Sequence, residues 1–153
     1  MRRRLPLGKP QSGWESIAEP PFQRRALAVV SHTGRVFAIG GMNAEGGPTK
    51  ETCSYDPANN SWQTLGSIAG VPMNGFGAAA TDLNGKLLVS TIDGSIQELN
   101  DERGIWSVVG QLPTGRFFHR MLPVSKDTVG VFGGANMNVG KCREAEFFSI
   151  SAK

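Results

Sequence analysis

The chain has 153 residues, a formal net charge of +3, 20 glycines, nine prolines and two cysteines. This length permits one domain with a sizeable core, and two cysteines are too few for a fold built on disulfides. The sequence has neither a stretch of transmembrane length nor the apolar core of a signal peptide. We therefore predict a cytoplasmic protein that makes no membrane contact and keeps Cys53 and Cys142 reduced.

Residues 1–13 are predicted to form a flexible basic tail. They contain Arg2, Arg3, Arg4 and Lys9 but no acidic residue, whereas the remaining residues are nearly balanced in charge. Such a cluster is compatible with contacts to nucleic acid or anionic lipid, but a solvated leader is the more common role. No basic stripe with interleaved aromatic residues follows, so nucleic-acid binding is not expected.

Short strands follow the tail. After an isolated strand at Trp14–Ala18, four apolar or alternating runs are separated by turn-forming residues. These runs are Ala26–Ser31, Arg35–Ile39, Glu51–Tyr55 and Ser61–Leu65. The sequence His32-Thr33-Gly34 predicts a tight hairpin. No run has the period of an amphipathic helix, so the chain is predicted to be all-β.

The same pattern recurs along the chain. Trp14, Trp62 and Trp106 are separated by 48 and 44 residues, an interval typical of repeat proteins. In the second unit, Asn84-Gly85 is a strong hairpin signal. The units are about 14–62, 62–106 and 106–153. Along the chain they contain the isolated strand and then groups of four, four and three strands, which together make twelve strands, or three sheets of four.

The spacing within a unit resembles the kelch repeat. In the first unit an apolar strand ends at Gly40-Gly41, followed by Tyr55 and Trp62, and the third unit repeats the glycine doublet while the second lacks it. The resemblance implies a kelch-type β-propeller with three four-stranded blades per chain. It implies structural roles, in backbone geometry or packing between blades, for Gly40, Gly41, Gly133, Gly134, Trp14, Trp62, Trp106, Tyr55 and Phe148.

Three blades do not close a ring, because propellers typically have four to eight. We expect two copies to join as a six-bladed homodimer with twofold symmetry. Trp14–Ala18 is then predicted to be the outer strand of the blade that contains Glu144–Ile150, from the same chain or from its partner. Two alternatives stay open: the chain is part of a longer protein, or it is an excised or engineered half-propeller without a ligand of its own.

We predict no catalytic residues, no metal site and no cofactor. The two histidines, His32 and His119, belong to no recognisable triad or metal cluster, and the copper radical oxidases with a similar fold need more than the one tyrosine present here. The chain is therefore interpreted as a non-catalytic module that binds itself and a protein or small carbohydrate. The alternative is a carbohydrate-active enzyme similar to the six-bladed kelch proteins that interconvert sialic acid anomers. Such an enzyme would need an acid/base pair in the central funnel.

The predicted binding surface consists of the loops before each innermost strand and between the second and third strands of each blade. Arginine, asparagine and aromatic residues on rigidly held loops are typical of recognition surfaces. The candidate ligand residues are Arg24, Arg25, Asn43, Asn74, Arg116, His119, Asn136 and Asn138. For Arg24 and Arg116 there is an equal alternative, in which they bind carbonyl groups between blades.

Overall fold

The computed structural model describes residues 3–9, 11 and 13–150. This part of the chain contains no α-helix, and Pro72–Gly75 forms a short 3₁₀ helix. None of its helices is long and apolar enough to cross a bilayer. At the N-terminus, β1 (Arg3–Arg4) pairs with β2 (Glu15–Ser16) in a two-stranded ribbon. Three antiparallel sheets follow, which confirms the predicted all-β propeller fold.

The first blade is a four-stranded meander. Its strands, in spatial and chain order, are β3 (Ala28–His32), β4 (Arg35–Ile39), β5 (Thr52–Asp56) and β6 (Ser61–Leu65). Thr33 and Gly34 have φ of 47° and 76°, as a two-residue hairpin turn requires. Every strand boundary lies within two residues of its prediction from sequence.

The second blade repeats this order. Its strands are β7 (Ala79–Leu83), β8 (Lys86–Ser90), β9 (Ser95–Asn100) and β10 (Ile105–Gln111). The predicted hairpin is present, with φ of 52° at Asn84 and 82° at Gly85. The blade therefore forms although its sequence lacks the glycine doublet.

The third blade has three paired strands rather than four. Its sheet consists of β11 (Arg120–Pro123), β12 (Thr128–Phe132) and β15 (Glu146–Ser149). Between β12 and β15 the chain forms a small hairpin of β13 (Ala135–Asn136) and β14 (Gly140–Lys141).

The blades pack side by side in chain order, since β7 contacts both β3 and β11. Apolar side chains fill the two interfaces between blades, and burying each large one contributes about 1.5–3 kcal/mol. The interface between the first and second blades contains Phe37, Ile39, Leu87, Val89 and Trp106. The interface between the second and third contains Leu88, Ile96, Met121, Val129 and Val131.

The residues that define the repeat occupy packed or conformationally special positions. Gly40 has a φ of 63°, and a Cβ at this residue would lie 2.5 Å from the backbone oxygen of Gly75. Trp106 is buried, and its indole N–H donates to the Thr52 hydroxyl over 3.0 Å. Among the other repeat residues within the blades, the rings of Tyr55 and Trp62 pack together. Gly41, Gly133 and Gly134 have positive φ. Phe148 packs on the interface between the second and third blades.

The N-terminal strand does not pair with the third blade of its own chain, which corrects one of the two predicted pairings. Among the described residues, β15 has β12 on one side and no strand on the other. The backbone N–H of Ala18 donates to Asn60 Oδ1 over 2.8 Å, and the Ala18 carbonyl accepts from Trp62 Nε1 over 3.1 Å. These bonds hold residues 14–18 on the first blade, two blades away from β15.

Part of the predicted tail also lies on the first blade. Arg4 Nε donates to the Glu15 carboxylate over 2.9 Å, and Arg4 Nη1 donates to the carbonyl oxygen of Pro57 over 3.3 Å. Arg2, another of the predicted tail residues, lies outside the described residues.

Candidate functional site

The loops predicted to bind a ligand lie next to each other on one face of the blades. In the first blade, Arg25 and Met42 exchange two backbone hydrogen bonds, of 3.0 and 2.8 Å. In the third blade, Phe117 and Ala135 make the equivalent pair at 2.9 Å each. Each pair joins the loop before the innermost strand to the loop after the second strand.

Arg24 is buried beneath these loops. Its Nη1 donates to the carbonyl oxygens of Gly40 and Glu51 over 3.0 and 2.8 Å, and its Nη2 lies 3.1 Å from Cys53 Sγ. The guanidinium carbon stands 4.0 Å from the centroid of the Phe22 ring, a cation–π contact. These bonds tie the loop before β3 to the ends of β4 and β5.

Arg116 makes the corresponding contacts in the third blade. Its Nη1 donates to the carbonyl oxygens of Gly133 and Glu144 over 3.2 and 3.0 Å, and its Nη2 pairs with Glu146 Oε1 at 3.0 Å. The side chain is 1% exposed. Both arginines thus bind backbone carbonyl groups, as the structural alternative anticipates, and a ligand-binding role for either one stays a prediction.

The second blade replaces the arginine with a different polar network. In each blade, the loop before the innermost strand carries a residue with φ between 56° and 59°. Two positions before that residue, the first and third blades have arginine, whereas the second blade has Gly75. Asn74 Nδ2 donates to Asp93 Oδ2 over 2.8 Å, and Thr91 Oγ1 donates to Asp93 Oδ1 over 2.6 Å. Burial raises the pKa of Asp93, but hydrogen bonds from Thr91, Ser95 and Asn74 outweigh it, so this pKa lies below its ordinary value. The predicted ligand residue Asn74 is therefore itself buried and bonded to Asp93, which is exposed.

The other predicted loop residues lie nearer the surface. Asn43 Oδ1 accepts from the Gly47 N–H over 2.7 Å, and Asn136 Oδ1 accepts from the Asn138 N–H over 2.8 Å, so two of the asparagines close turns within their own loops. Arg25 and Asn138 are exposed.

His119 is buried between the second and third blades rather than open to the funnel. Its Nε2 forms a hydrogen bond with the Ser90 hydroxyl, and its Nδ1 has no hydrogen-bond partner in the described structure. Burial, followed by the charges of Arg116 and Arg120, lowers the pKa of His119 to about 4. The ring is therefore neutral at physiological pH, and a ligand role for it stays a prediction.

A cavity of about 620 Å³ opens beside Arg24 on the first blade. Its lining combines the carboxyl groups of Glu19, Glu45 and Glu51 with Asn43 and the ring of Phe22. A concave site with an apolar wall and a few polar groups is typical of small-ligand sites. Of the lining residues, sequence reasoning singled out Arg24, Asn43 and Phe22. It missed the glutamates because a charged residue in or beside a surface loop carries no local signal.

The described residues contain no group of histidine, cysteine, aspartate or glutamate side chains arranged to hold a metal ion. The polar groups that line the cavity are carboxylates, amides and the guanidinium of Arg24.

Comparisons with known proteins identify the fold and one enzymatic relative. Residues 23–68 match the family model described as Kelch motif. The N-acetylneuraminate epimerase of Yersinia enterocolitica is 37% identical over 89 residues, which covers 54% of this chain and 22% of the epimerase. The solved structure of YjhT matches with a TM-score of 0.71 and 19% identity, over 86% of this chain and 45% of that chain. The chain thus matches less than half the length of either protein.

These comparisons correct the expectation of a non-catalytic module, because the curated relative is an epimerase. The expectation rested on finding no catalytic spacing in the sequence. An acid/base pair held on surface loops, however, needs no characteristic spacing in the sequence, so the lack of a motif did not argue against catalysis. The first complete blade matches the kelch motif, and the chain has the fold of a kelch-type β-propeller.

Proposed function

We propose that this chain forms part of a carbohydrate-active propeller that interconverts stereoisomers of N-acetylneuraminate. The observation that carries the proposal is the 37% identity to an N-acetylneuraminate epimerase over 89 residues. Because the match covers 22% of that enzyme, the proposal is limited to the substrate class and the type of reaction.

The reaction proposed is inversion at the anomeric carbon, which needs proton transfer but no redox cofactor. A base removes the proton of the anomeric hydroxyl while the bond between the anomeric carbon and the ring oxygen breaks, and an acid protonates that ring oxygen. The open-chain ketone then presents its other face and closes by the reverse transfers. All atoms and electrons are conserved, so two positioned carboxyl groups, or one with a water molecule, suffice.

The cavity on the first blade offers groups suited to this chemistry. The Glu51 carboxylate lies 3.9 Å from Arg24 Nη2 with 60% of its side chain exposed, so a substrate can reach it from solvent. Glu45 lines the same cavity and supplies a second carboxyl group. The ring of Phe22, held edge-on against Trp62 with 5.5 Å between centroids, provides an apolar wall for a sugar ring. We assign the acid/base roles to Glu51 and Glu45.

Proton NMR of freshly dissolved N-acetylneuraminate tests the proposal, since the anomeric signals report interconversion directly. We expect the protein to accelerate equilibration of the anomers, and Glu51→Gln or Glu45→Gln to reduce that acceleration about 10²- to 10⁴-fold. The matched control is Glu102→Gln, an exposed carboxylate in the turn between β9 and β10, which should leave the rate unchanged. No acceleration by the unmodified protein would refute the proposed activity. If the unmodified protein accelerates equilibration and both cavity variants do so equally well, the assignment of Glu51 and Glu45 is refuted but the activity is not.

We further propose a cytoplasmic location. Cys53 and Cys142 are free thiols in the structure, and a reducing compartment maintains that state. Labelling both thiols in a cell extract prepared without reductant tests this. Full labelling is expected, and a disulfide at either position would contradict it.

A further inference from the structure

We infer that two copies of this chain exchange their N-terminal strands, so that Trp14–Ala18 of each copy becomes the fourth strand of the other copy's third blade. Four independent features of the structure support this inference. They are an open strand edge, a groove beside it, the position of residues 14–18, and the two uncovered end faces. The inference does not depend on the proposed enzymatic activity.

The first feature is the outer edge of β15. In the first blade, Tyr55 on the third strand lies opposite Trp62 on the fourth, and in the second blade Leu99 lies opposite Trp106. Phe148 holds the same position on β15, because it pairs with Val129 as Tyr55 pairs with Val36. Phe148 has no opposite residue within the described part of the chain. Among the described residues this edge therefore has neither the fourth strand nor the tryptophan that the other two blades have.

The second feature is a groove of about 1010 Å³ between β10 and β15. Its apolar wall is formed by Leu83, Leu99, Val108, Val109, Phe148 and Ile150. This is the space in which the fourth strand of the third blade would pack against the second blade. A groove with one apolar wall beside an unpaired strand edge is suited to β-strand addition.

The third feature is the position of residues 14–18 on their own chain. The N–H of Gly66, four residues after Trp62, donates to the carbonyl oxygen of Gly104 in the next blade over 2.9 Å. The N–H of Ala18, four residues after Trp14, donates to Asn60 Oδ1 over 2.8 Å. Gly104 and Asn60 each lie two residues before the tryptophan of their blade. Residues 14–18 therefore lie against the first blade as an outer strand lies against the blade that follows it.

In this position the N-terminal strand lacks the sheet to which an outer strand belongs. Trp14 is 63% exposed, whereas Trp106, its equivalent in the second blade, is 5% exposed. A third blade placed before the first blade would supply both the missing sheet and the cover for this indole.

The fourth feature is that the two end faces expose residues buried elsewhere in the repeat. Val29 on the first blade is 63% exposed, while Met121, the equivalent residue of the third blade, is 3% exposed. Phe132 on the third blade is 37% exposed, while Ile39, its equivalent in the first, is fully buried. Placing the third blade of one copy against the first blade of another repeats the packing found between neighbouring blades. Because each copy offers both faces, two copies close a six-bladed ring with two identical contacts.

Static light scattering on a sizing column tests the assembly. We expect a mass twice the 16.4 kDa of one chain. Trp14→Ala should weaken the dimer about 100-fold, as truncation of a buried anchor residue does, while Leu7→Ala, at a side chain that is 90% exposed, should not. Circular dichroism of Trp14→Ala verifies that the β-sheet signal is retained. A monodisperse monomer for the unmodified chain would overturn the inference.

Cross-linking tests the strand register even if Trp14→Ala fails to fold. The register of the first blade, in which Ser54 lies opposite Gln63, places Glu15 of one copy opposite Phe147 of the other. After the Glu15→Cys and Phe147→Cys proteins are mixed, refolded together and oxidised, we expect a disulfide between the two chains. The control mixture contains Leu122→Cys in place of Phe147→Cys, since Leu122 is also exposed but lies on the innermost strand. Equal yields in both mixtures, or a bond that forms within one chain of a Glu15→Cys/Phe147→Cys double variant, would contradict the exchange.

Discussion

His32 Nδ1 in the first blade lies 2.5 Å from Asp82 Oδ2 in the second blade. On the other side of the ring, His32 Nε2 lies 2.9 Å from Asp101 Oδ2. The imidazole side chain is completely buried, and only its protonated form carries a hydrogen on both nitrogens. A charged His32 therefore joins the hairpin of the first blade to two carboxylates of the second.

This contact makes a specific prediction for His32→Gln. Burial lowers the pKa of His32, but the hydrogen bonds and charges of Asp82 and Asp101 outweigh burial and raise it above its ordinary value. The resulting stabilisation is complete below the unfolded-state pKa of about 6.5 and is lost as the pH rises through the folded-state pKa. We expect His32→Gln to destabilise the protein more at pH 5.5 than at pH 8. Urea denaturation at the two pH values measures the difference.

His119→Gln should have the opposite effect on the pH dependence. The pKa of His119 is lowered to about 4, so at pH 5.5 the unfolded chain takes up a proton that the folded chain does not. This costs on the order of 1 kcal/mol of stability relative to pH 8, and the substitution removes that cost. The stability of His119→Gln relative to the unmodified protein should therefore be greater at pH 5.5 than at pH 8. If lowering the pH from 8 to 5.5 shifted the relative stability of both histidine variants in the same direction, the assigned pKa directions would be contradicted.

The strands were predictable from sequence because their signals are local. Hairpins such as Asn84-Gly85 need residues that tolerate positive φ, and the apolar runs between turns have the length of strands. The tryptophan spacing indicated the number of blades because the same packing arrangement recurs in each blade. For these reasons the four strands of the first blade were placed to within two residues.

The contacts between blades were not predictable in the same way. Asp82 and Asp101 lie 50 and 69 residues from His32, and nothing in their own neighbourhood marks them as its partners. The pairing of β2 with β1 was also missed: Trp14–Ala18 was predicted to be a strand, but Arg3–Arg4 was assigned to a flexible tail, because two arginines carry no strand signal. For Arg116, the sequence left ligand binding and carbonyl binding equally open, since only the folded backbone brings Gly133 and Glu144 to its guanidinium.

Gly75→Ala should be strongly destabilising for steric reasons. A Cβ at Gly75 would lie 1.7 Å from the backbone oxygen of Thr49 and 3.0 Å from the Cα of Gly40. Both neighbours are backbone atoms, so the first and second blades would have to separate locally. We expect a loss of about 3 kcal/mol or more in the free energy of unfolding. Gly8→Ala is the control, because a Cβ there meets nothing within 4 Å, and equal denaturation midpoints for the two variants would contradict the close approach.

Trp106→Phe should cost about 1–3 kcal/mol through the lost hydrogen bond alone, and the space left by the smaller ring adds to the loss. The indole N–H donates to Thr52 Oγ1 over 3.0 Å, and Thr52 is fully buried. Without this donor the hydroxyl loses a partner that water cannot replace. Adding Thr52→Val to Trp106→Phe should recover part of the loss, because a buried polar atom is removed. Thermal denaturation of both single variants and the double variant checks this, and strictly additive losses would argue against the bond.

Arg116→Met should be among the most destabilising substitutions in the third blade. The side chain is 1% exposed, and its removal leaves the Glu146 carboxylate, whose side chain is 13% exposed, without its cation. The carbonyl oxygens of Gly133 and Glu144 also lose a donor. Removing one partner of a buried ion pair typically costs about 3–5 kcal/mol, much of it from the charge left behind.

The double variant Arg116→Met/Glu146→Leu separates the cost of the unpaired Glu146 carboxylate from the other contributions to the loss of stability. If the unpaired carboxylate dominates, the double variant should be more stable than Arg116→Met alone. Arg120→Ala provides the control, because the exposed side chain of Arg120 donates only to the carbonyl oxygen of His119 in the described structure. Its loss should change stability by less than about 0.5 kcal/mol. All measurements should use one protein concentration, since self-association would add to apparent stability. A double variant less stable than Arg116→Met would show that Glu146 stabilises the third blade through contacts other than its ion pair with Arg116.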